Sequence, residues 1–353
     1  MNKNKDIDIN NWLEYYQPPA VNIWQGRVDS HFPERYHQVV KPVDLLHFDP
    51  DDPYNLLQSI LDNGDDKYTF VIIGFACDEG VLRNQGRIGA RTGPDKLRGL
   101  LANLPFNFAN NINIYDLGNI FCDPENYEHN LEDAQVALGK LVEMILLSGC
   151  HPIILGGGHE TAWGHYLGMA NTDYAENLGI INFDAHFDLR PLLDNHLGTS
   201  GTPFTQIAQA RSNDNLSFDY FCIGIQRTAN TLSLFEEAES LNVEYIEAEN
   251  LTPDNLEEFQ KFLDFIDDHE ALYVSICLDV FASSVAPGVS APQPLGILPQ
   301  YVLPFLEALA YSNKVVSLDI VELAPNYDVD NNTARLGAHL IAKYIDKTCA
   351  ADD

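Results

Sequence analysis

A chain of 353 residues with a hydrophobic fraction of 45% can bury a sizeable core in one large domain or two ordinary ones. Fifty-two acidic against twenty basic side chains leave a formal charge of −32, which argues against nucleic acid or an anionic membrane as partner and reads as a solubilising acidic surface. No window reaches the ~18 apolar residues that a membrane span needs, and residues 1–11 are polar, without the apolar centre of a signal peptide. The first 65 residues lack clear periodicity and carry Trp, Tyr and Pro, which suggests an arm packed on a single main domain over 66–353.

From Thr69 onward, strand-like and helix-like segments alternate. Strands are expected at Thr69–Cys77, Ile112–Leu117, Pro152–Leu155, Leu178–Asp184, Asp219–Gly224, Val243–Ile246, Ala271–Asp279 and Lys314–Glu322. Their near-continuous apolar runs suit parallel strands buried on both faces. The clearest helix places Leu131, Ala134, Leu138, Leu141, Val142 and Ile145 on one face, and others are expected at Leu256–Ile266, Tyr301–Ala310 and Thr333–Ile345. This alternation predicts an α/β fold, a mostly parallel sheet covered by helices on both faces, with a closed (β/α)8 barrel as the alternative. The six cysteines (77, 122, 150, 222, 277, 349) have no CxxC spacing and lie mostly in apolar runs, which predicts reduced buried thiols and a cytosolic protein. Five of the scarce bases, Arg83, Arg87, Arg91, Lys96 and Arg98, crowd into residues 83–98.

Three segments carry chemistry, each at the carboxyl end of an expected strand, where α/β sheets bind ligands. The run Ile153–Leu155 ends in Gly156-Gly157-Gly158-His159, which fits neither phosphate-loop pattern but would let the backbone turn and present His159. In Asn182-Phe183-Asp184-Ala185-His186-Phe187-Asp188, extended geometry projects Asp184, His186 and Asp188 to one side. Clustering two carboxylates and an imidazole there is costly without a divalent cation. In the third segment Cys277 and Asp279 share a face at the end of a buried strand, followed by a proline-rich wall from Pro287 to Pro292.

These three segments resemble the metal-binding motifs of arginases, agmatinases and formimidoylglutamases. The resemblance implies an arginase-like three-layer α/β/α fold, with His159, Asp184, His186, Asp188 and Asp279 ligating up to two Mn2+ ions. Asp319-Ile320-Val321-Glu322-Leu323-Ala324-Pro325 resembles a later motif of the family and implies that Glu322 holds the cationic amidine of the substrate. Further stretches resemble formimidoylglutamases in particular: Trp24-Gln25-Gly26-Arg27, Arg35-Tyr36-His37-Gln38, Ala76–Gly80, Gly93-Pro94-Asp95, Phe187–Pro191, Ser200–Phe204 and Gly224–Arg227. Ser200 stands where arginases and agmatinases generally carry His.

The implied activity is hydrolysis of N-formimino-L-glutamate to L-glutamate and formamide, a step of histidine degradation, with a metal-activated water attacking the formimino carbon and Asp188 as the proton carrier. That substrate has two carboxylates, which a protein at −32 repels at long range, so a local cationic site is required. Arg190, directly after the metal segment, with Arg91 and Arg227, is expected to supply it, because the guanidinium fork suits carboxylates. Rival readings are another amidine or guanidine hydrolase such as an agmatinase, or an inactive homologue serving as a binding protein. A homo-oligomer is compatible with the sequence.

Cys277 departs from the family pattern, since it occupies the first position of the usual Asp-x-Asp pair. A thiol has one soft sulfur where a carboxylate has two oxygens to bridge two ions. Either Cys277 ligates as a thiolate, favouring Zn2+ or Fe2+, or it stays a neutral wall residue and leaves the second ion weakly held. The second outcome is the expectation, with fewer than two ions held per chain.

Overall fold

In the computed structural model, residues 9–29, 31–47, 68–107, 112–122, 130–252 and 255–350 are described. Ten strands form one sheet: β1 (Tyr16–Gln17), β2 (Val40–Pro42), β3 (Tyr68–Ala76), β4 (Ile112–Phe121), β5 (His151–Leu155), β6 (Leu178–Phe183), β7 (Asp219–Ile225), β8 (Glu244–Glu247), β9 (Ala271–Cys277) and β10 (Val315–Val321). Their order is β1-β4-β3-β5-β10-β9-β6-β7-β8, with β2 also on β4. Among the named strands of the described residues, the β1–β4 pairing alone is antiparallel. The sheet is open at both edges, so the barrel alternative is excluded. Of the expected arm, residues 1–8, 30 and 48–65 lie outside the described residues; β1 and β2 pair side by side along the outer edge of β4.

Helices cover both faces because strand side chains alternate between two cores. Phe70, Ile72, Leu155, Ile181 and Phe183 face one core with helices Gly93–Leu101, Leu256–Asp268, Pro299–Ser312 and Asn332–Ala350. Val71, Ile73, Ile154 and Ile180 face the other with Asn130–Leu147, Thr161–Ala170, Pro203–Asn213 and Leu232–Ser240. This is the expected three-layer arrangement. Among the described residues no helix is long and apolar enough to cross a membrane.

The cysteine expectation needs correction: Cys77 and Cys122 are joined in a disulfide, while Cys150, Cys222, Cys277 and Cys349 are free. The register explains the pairing. Ala76 sits opposite Phe121 on neighbouring parallel strands, so the next residues emerge together with Cα atoms 5.2 Å apart, within disulfide reach. The reduced-thiol argument for a cytosolic location therefore no longer covers all six.

Strand order positions the site. β5, β10, β9 and β6 are consecutive neighbours, and their carboxyl ends deliver His159, Glu322, Cys277 with Asp279, and Asp184 with His186 and Asp188. Val321 pairs with Cys277 and Phe183 with Ile276, which brings Asp184 alongside Cys277.

Candidate metal centre and substrate cavity

The glycine turn after β5 has a steric reason. A Cβ on Gly157 would lie 1.8 Å from the Cys77 carbonyl oxygen, and the Gly158 N–H donates to that same oxygen at 3.0 Å. Backbone contact this close admits only glycine. Gly157 O in turn accepts from the Glu322 N–H at 2.7 Å, and the His159 N–H donates to Glu322 Oε1 at 2.8 Å. The turn thus fixes His159 and Glu322 against each other.

His159 is oriented from behind. Ser275 Oγ donates its single proton to Asp319 Oδ1 at 2.6 Å, so it accepts from His159 Nε2 at 3.0 Å. That leaves the Nδ1 lone pair facing Asp184 Oδ2 at 2.9 Å and Asp188 Oδ2 at 2.8 Å. Asp319 is itself held by Tyr273 Oη at 2.5 Å and His165 Nδ1 at 2.7 Å. On the other side His186 Nδ1 lies 3.3 Å from both Asp184 Oδ1 and Asp279 Oδ2. Two donor groups result, each with its ligand atoms within 4.8 Å of one another: His159–Asp184–Cys277 and Asp184–His186–Asp279. Asp184 belongs to both.

The electrostatics are those of a site built for a cation. Burial and the neighbouring Asp184 push the Asp279 carboxyl up to about 6, and burial with Asp279 pushes Glu322 up to about 7. Burial opposes charge on both imidazoles, yet the adjacent carboxylates outweigh it and raise His159 and His186 well above the ordinary histidine range. Burial, then the charges of Asp184, Asp279 and Glu322, raises the Cys277 thiol. Each shift reflects carboxylates crowded together away from water, an arrangement that a divalent cation would stabilise. Buried Asp279 Oδ1 has no hydrogen-bond partner among the described residues, as an atom reserved for a metal would, and His159 Nδ1 meets two carboxylate oxygens that could share a cation with it. The residues therefore fit divalent ions.

A cavity of about 200 Å³ opens over this cluster, lined by His159, His186, Asp188, Cys277, Asp279 and Glu322, with Arg190, Asn84, Ser200 and Ser290 among the facing residues. Asp188 (φ 49°) and Glu322 (φ 69°) both have left-handed backbone. Non-glycine residues pay strain for that geometry, and such strain concentrates at functional sites. Glu322 Oε2 accepts from the Ser290 hydroxyl.

Arg190 is the one expected arginine that reaches the cavity. Its chain lies over Gly201, where a Cβ would come 2.7 Å from Arg190 Cδ, and no carboxylate among the described residues pairs with its guanidinium. Arg91 and Arg227 are corrections. Arg91 is tied to Asp78 at 2.6 Å and lines a different cavity with Ile88 and Asn326. Exposed Arg227 pairs with Glu247 and stacks over Phe235. The crowded bases at 83–98 are likewise largely structural: Arg83 binds Glu79 and Glu132, Arg98 binds Asp116, and Arg87 holds the carbonyls of Val289 and Ser290 on the cavity wall. Asn84 and the Ser275–Asp319–His165 support escaped the sequence reading of roles. Polar residues inside apolar strand runs, Ser275 and Asp319, were the available signal.

Comparison with known proteins bears on the family and the fold. The family model described as "Arginase family" matches residues 68–346. A formimidoylglutamase of Clostridium tetani (strain Massachusetts / E88) is 42% identical over 339 residues, 94% of this chain and 96% of its own. One from Legionella pneumophila (strain Lens) is 44% identical over 335 residues, 95% and 98% of the two chains. A crystal structure of Trypanosoma cruzi formiminoglutamase with Mn2+2 matches with a TM-score of 0.68 at 24% identity, covering 80% of this chain and 94% of that one. Arginase from Bacillus subtilis matches at 0.65 and 23%, covering 78% and 98%. The two structures speak for the fold, whereas the family model covers most of the chain and the curated relatives nearly all of it; the chain belongs to the arginase family.

Proposed function

We propose that this enzyme hydrolyses N-formimino-L-glutamate to L-glutamate and formamide, using divalent ions, with Mn2+ as the family-typical choice. The observation that carries the reading is the cavity itself: Arg190, paired with no carboxylate among the described residues, and the buried carboxylate Glu322 line it together with the metal-ligand cluster. The substrate has complementary parts, a carboxylate end and a cationic formimino end. Relatives at 42–44% identity bear the formimidoylglutamase name.

When bound, the ions would supply Lewis acidity and make water nucleophilic at neutral pH. The chain does the rest. Arg190 grips a substrate carboxylate with its fork. Glu322, fixed by the His159 N–H and the Ser290 hydroxyl, holds the formimino cation. Asp188, at the cavity wall, takes a proton from the attacking water and passes it to the departing amine nitrogen. The water oxygen ends on the formimino carbon, the C–N bond to glutamate breaks, and the amine leaves protonated.

The test is product analysis with purified protein and added Mn2+ on formiminoglutamate, agmatine and arginine. Formamide and glutamate in equal amounts are expected. Faster turnover of agmatine would overturn the substrate, and ammonia with formylglutamate would overturn the bond cleaved.

A further inference from the structure

The two donor groups are not chemically equivalent. His159–Asp184–Cys277 offers nitrogen, oxygen and sulfur, and Asp188 Oδ2 lies 2.8 Å from the same His159 nitrogen. Asp184–His186–Asp279 offers nitrogen and carboxylate oxygen only. In the second set Asp279 Oδ1 is buried without a hydrogen-bond partner among the described residues, and in the first His159 Nδ1 meets carboxylate oxygens of Asp184 and Asp188, themselves candidate ligands. Cys277 is 1% exposed, at the end of β9 between Val321 of β10 and the start of the Asp184 segment, so its sulfur cannot turn away to solvent.

Resting on the metallohydrolase reading above, we infer that Cys277 makes the centre hetero-selective: the His159–Asp184–Cys277 position takes a thiolate-accepting borderline ion of the Zn2+ class, and the Asp184–His186–Asp279 position takes a harder ion such as Mn2+. Sulfur and imidazole donors in a compact four-coordinate set are what Zn2+ accepts most readily, whereas Mn2+ favours oxygen. On binding, the thiol would give its proton to solvent and the resulting thiolate sulfur would serve as a ligand at the His159–Asp184–Cys277 position. Asp184, common to both groups, remains the bridging candidate. This replaces the expectation of a neutral wall thiol and a weakly held second ion.

The test reads metal, not turnover. Full-length protein stripped with chelator is titrated with Co2+ as a spectroscopic probe, then with Zn2+ and Mn2+ in competition, alongside Cys277→Asp and Cys277→Ser. A sulfur-to-cobalt charge-transfer band is expected in the native protein and absent from both variants. Even a group one step removed from a metal changes affinity by about 10- to 100-fold, so Cys277→Asp should shift the Zn2+-over-Mn2+ preference by at least about tenfold toward Mn2+. Circular dichroism checks that the variants fold, and if either does not, the native band alone decides. Co2+ bound without a sulfur band, or a preference unchanged in the folded Asp variant, would overturn the inference. No substrate enters these measurements, so failure of the formiminoglutamate assignment would leave their outcome readable.

Discussion

Glu322 accepts the backbone N–H of His159 at 2.8 Å across 163 residues of chain, so the carboxylate proposed for the substrate cation is anchored to the loop that presents a metal ligand. The relationship predicts how the two functions separate. Glu322→Gln keeps an oxygen for the His159 N–H and an amide that can face the Ser290 hydroxyl, and removes only the charge. Leaving a buried charge unpaired costs roughly 2–5 kcal/mol, so kcat/KM should fall about 30- to 5,000-fold while metal content stays unchanged. Metal analysis beside kinetics checks both. Loss of metal would make Glu322 a ligand or a structural support of one.

Arg190→Ala should weaken substrate capture without touching the ions. Arg190 lines the cavity, is exposed, and pairs with no carboxylate among the described residues. A charge-assisted bond at such a site is worth roughly 1.5–3 kcal/mol, or about 10- to 150-fold in kcat/KM, chiefly through KM. Unaltered kinetics would assign Arg190 to structure.

The contrast between Arg190 and its fellows shows where sequence reasoning reached and where it stopped. Asp184, His186 and Asp188 were legible as a cluster from their spacing at a strand end, although β6 stops at Phe183 and Asp188 (φ 49°) lies in left-handed rather than extended backbone, and His159 and Asp279 followed from strand ends. The fate of an arginine depends on which acid lies across space. Nothing local in Arg91 or Arg227 announces Asp78 or Glu247. Long buried strands were likewise visible as apolar runs, whereas helix Thr161–Ala170 was not. It carries Gly164 and Gly168, poor helix formers, because its axis packs closely on Asn130–Leu147: a Cβ on Gly168 would lie 2.6 Å from the Gly139 carbonyl. The disulfide required the β3–β4 register, which no cysteine spacing encodes.

His151 predicts an acid-sensitive element away from the site. It opens β5 beside Tyr68 and Phe70, with ring centroids at 6.1 and 5.7 Å, and burial lowers its imidazole below the usual histidine range, against a smaller opposing effect of the hydrogen bond to the Val315 backbone. The unfolded chain therefore binds the proton more readily. Its neutral form stabilises the fold above the ordinary value of 6.5, and that contribution is lost as pH falls through and below 6.5. His151→Phe should show a shallower drop in thermal midpoint between about pH 7 and 5 than the native protein. Parallel pH curves for the two would refute the assignment.

The strongest stability prediction concerns Arg98, 1% exposed in helix Gly93–Leu101, and Asp116, fully buried in β4. Arg98 Nε and Nη2 bind the two carboxylate oxygens of Asp116 at 3.0 and 2.9 Å, while Nη1 reaches Asn119 at 2.7 Å and Nη2 the Gly118 carbonyl at 2.6 Å. Trp24 Nε1 adds a bond to Asp116 at 2.7 Å, and a Cβ on Gly118 (φ +82°) would lie 2.2 Å from Gln17 O. The pair thus joins a helix, a strand and the N-terminal segment at one point. Removing one partner strands a buried charge, so Arg98→Met should cost roughly 3–5 kcal/mol in urea unfolding. Replacing both charges removes the stranded one. Arg98→Met with Asp116→Leu should therefore recover much of the loss, short of full recovery because the Trp24 indole and the Gly118 N–H lose their acceptor. A double variant as unstable as the sum of the two single ones would mean that the ion pair itself contributes nothing, and that packing volume decides stability here.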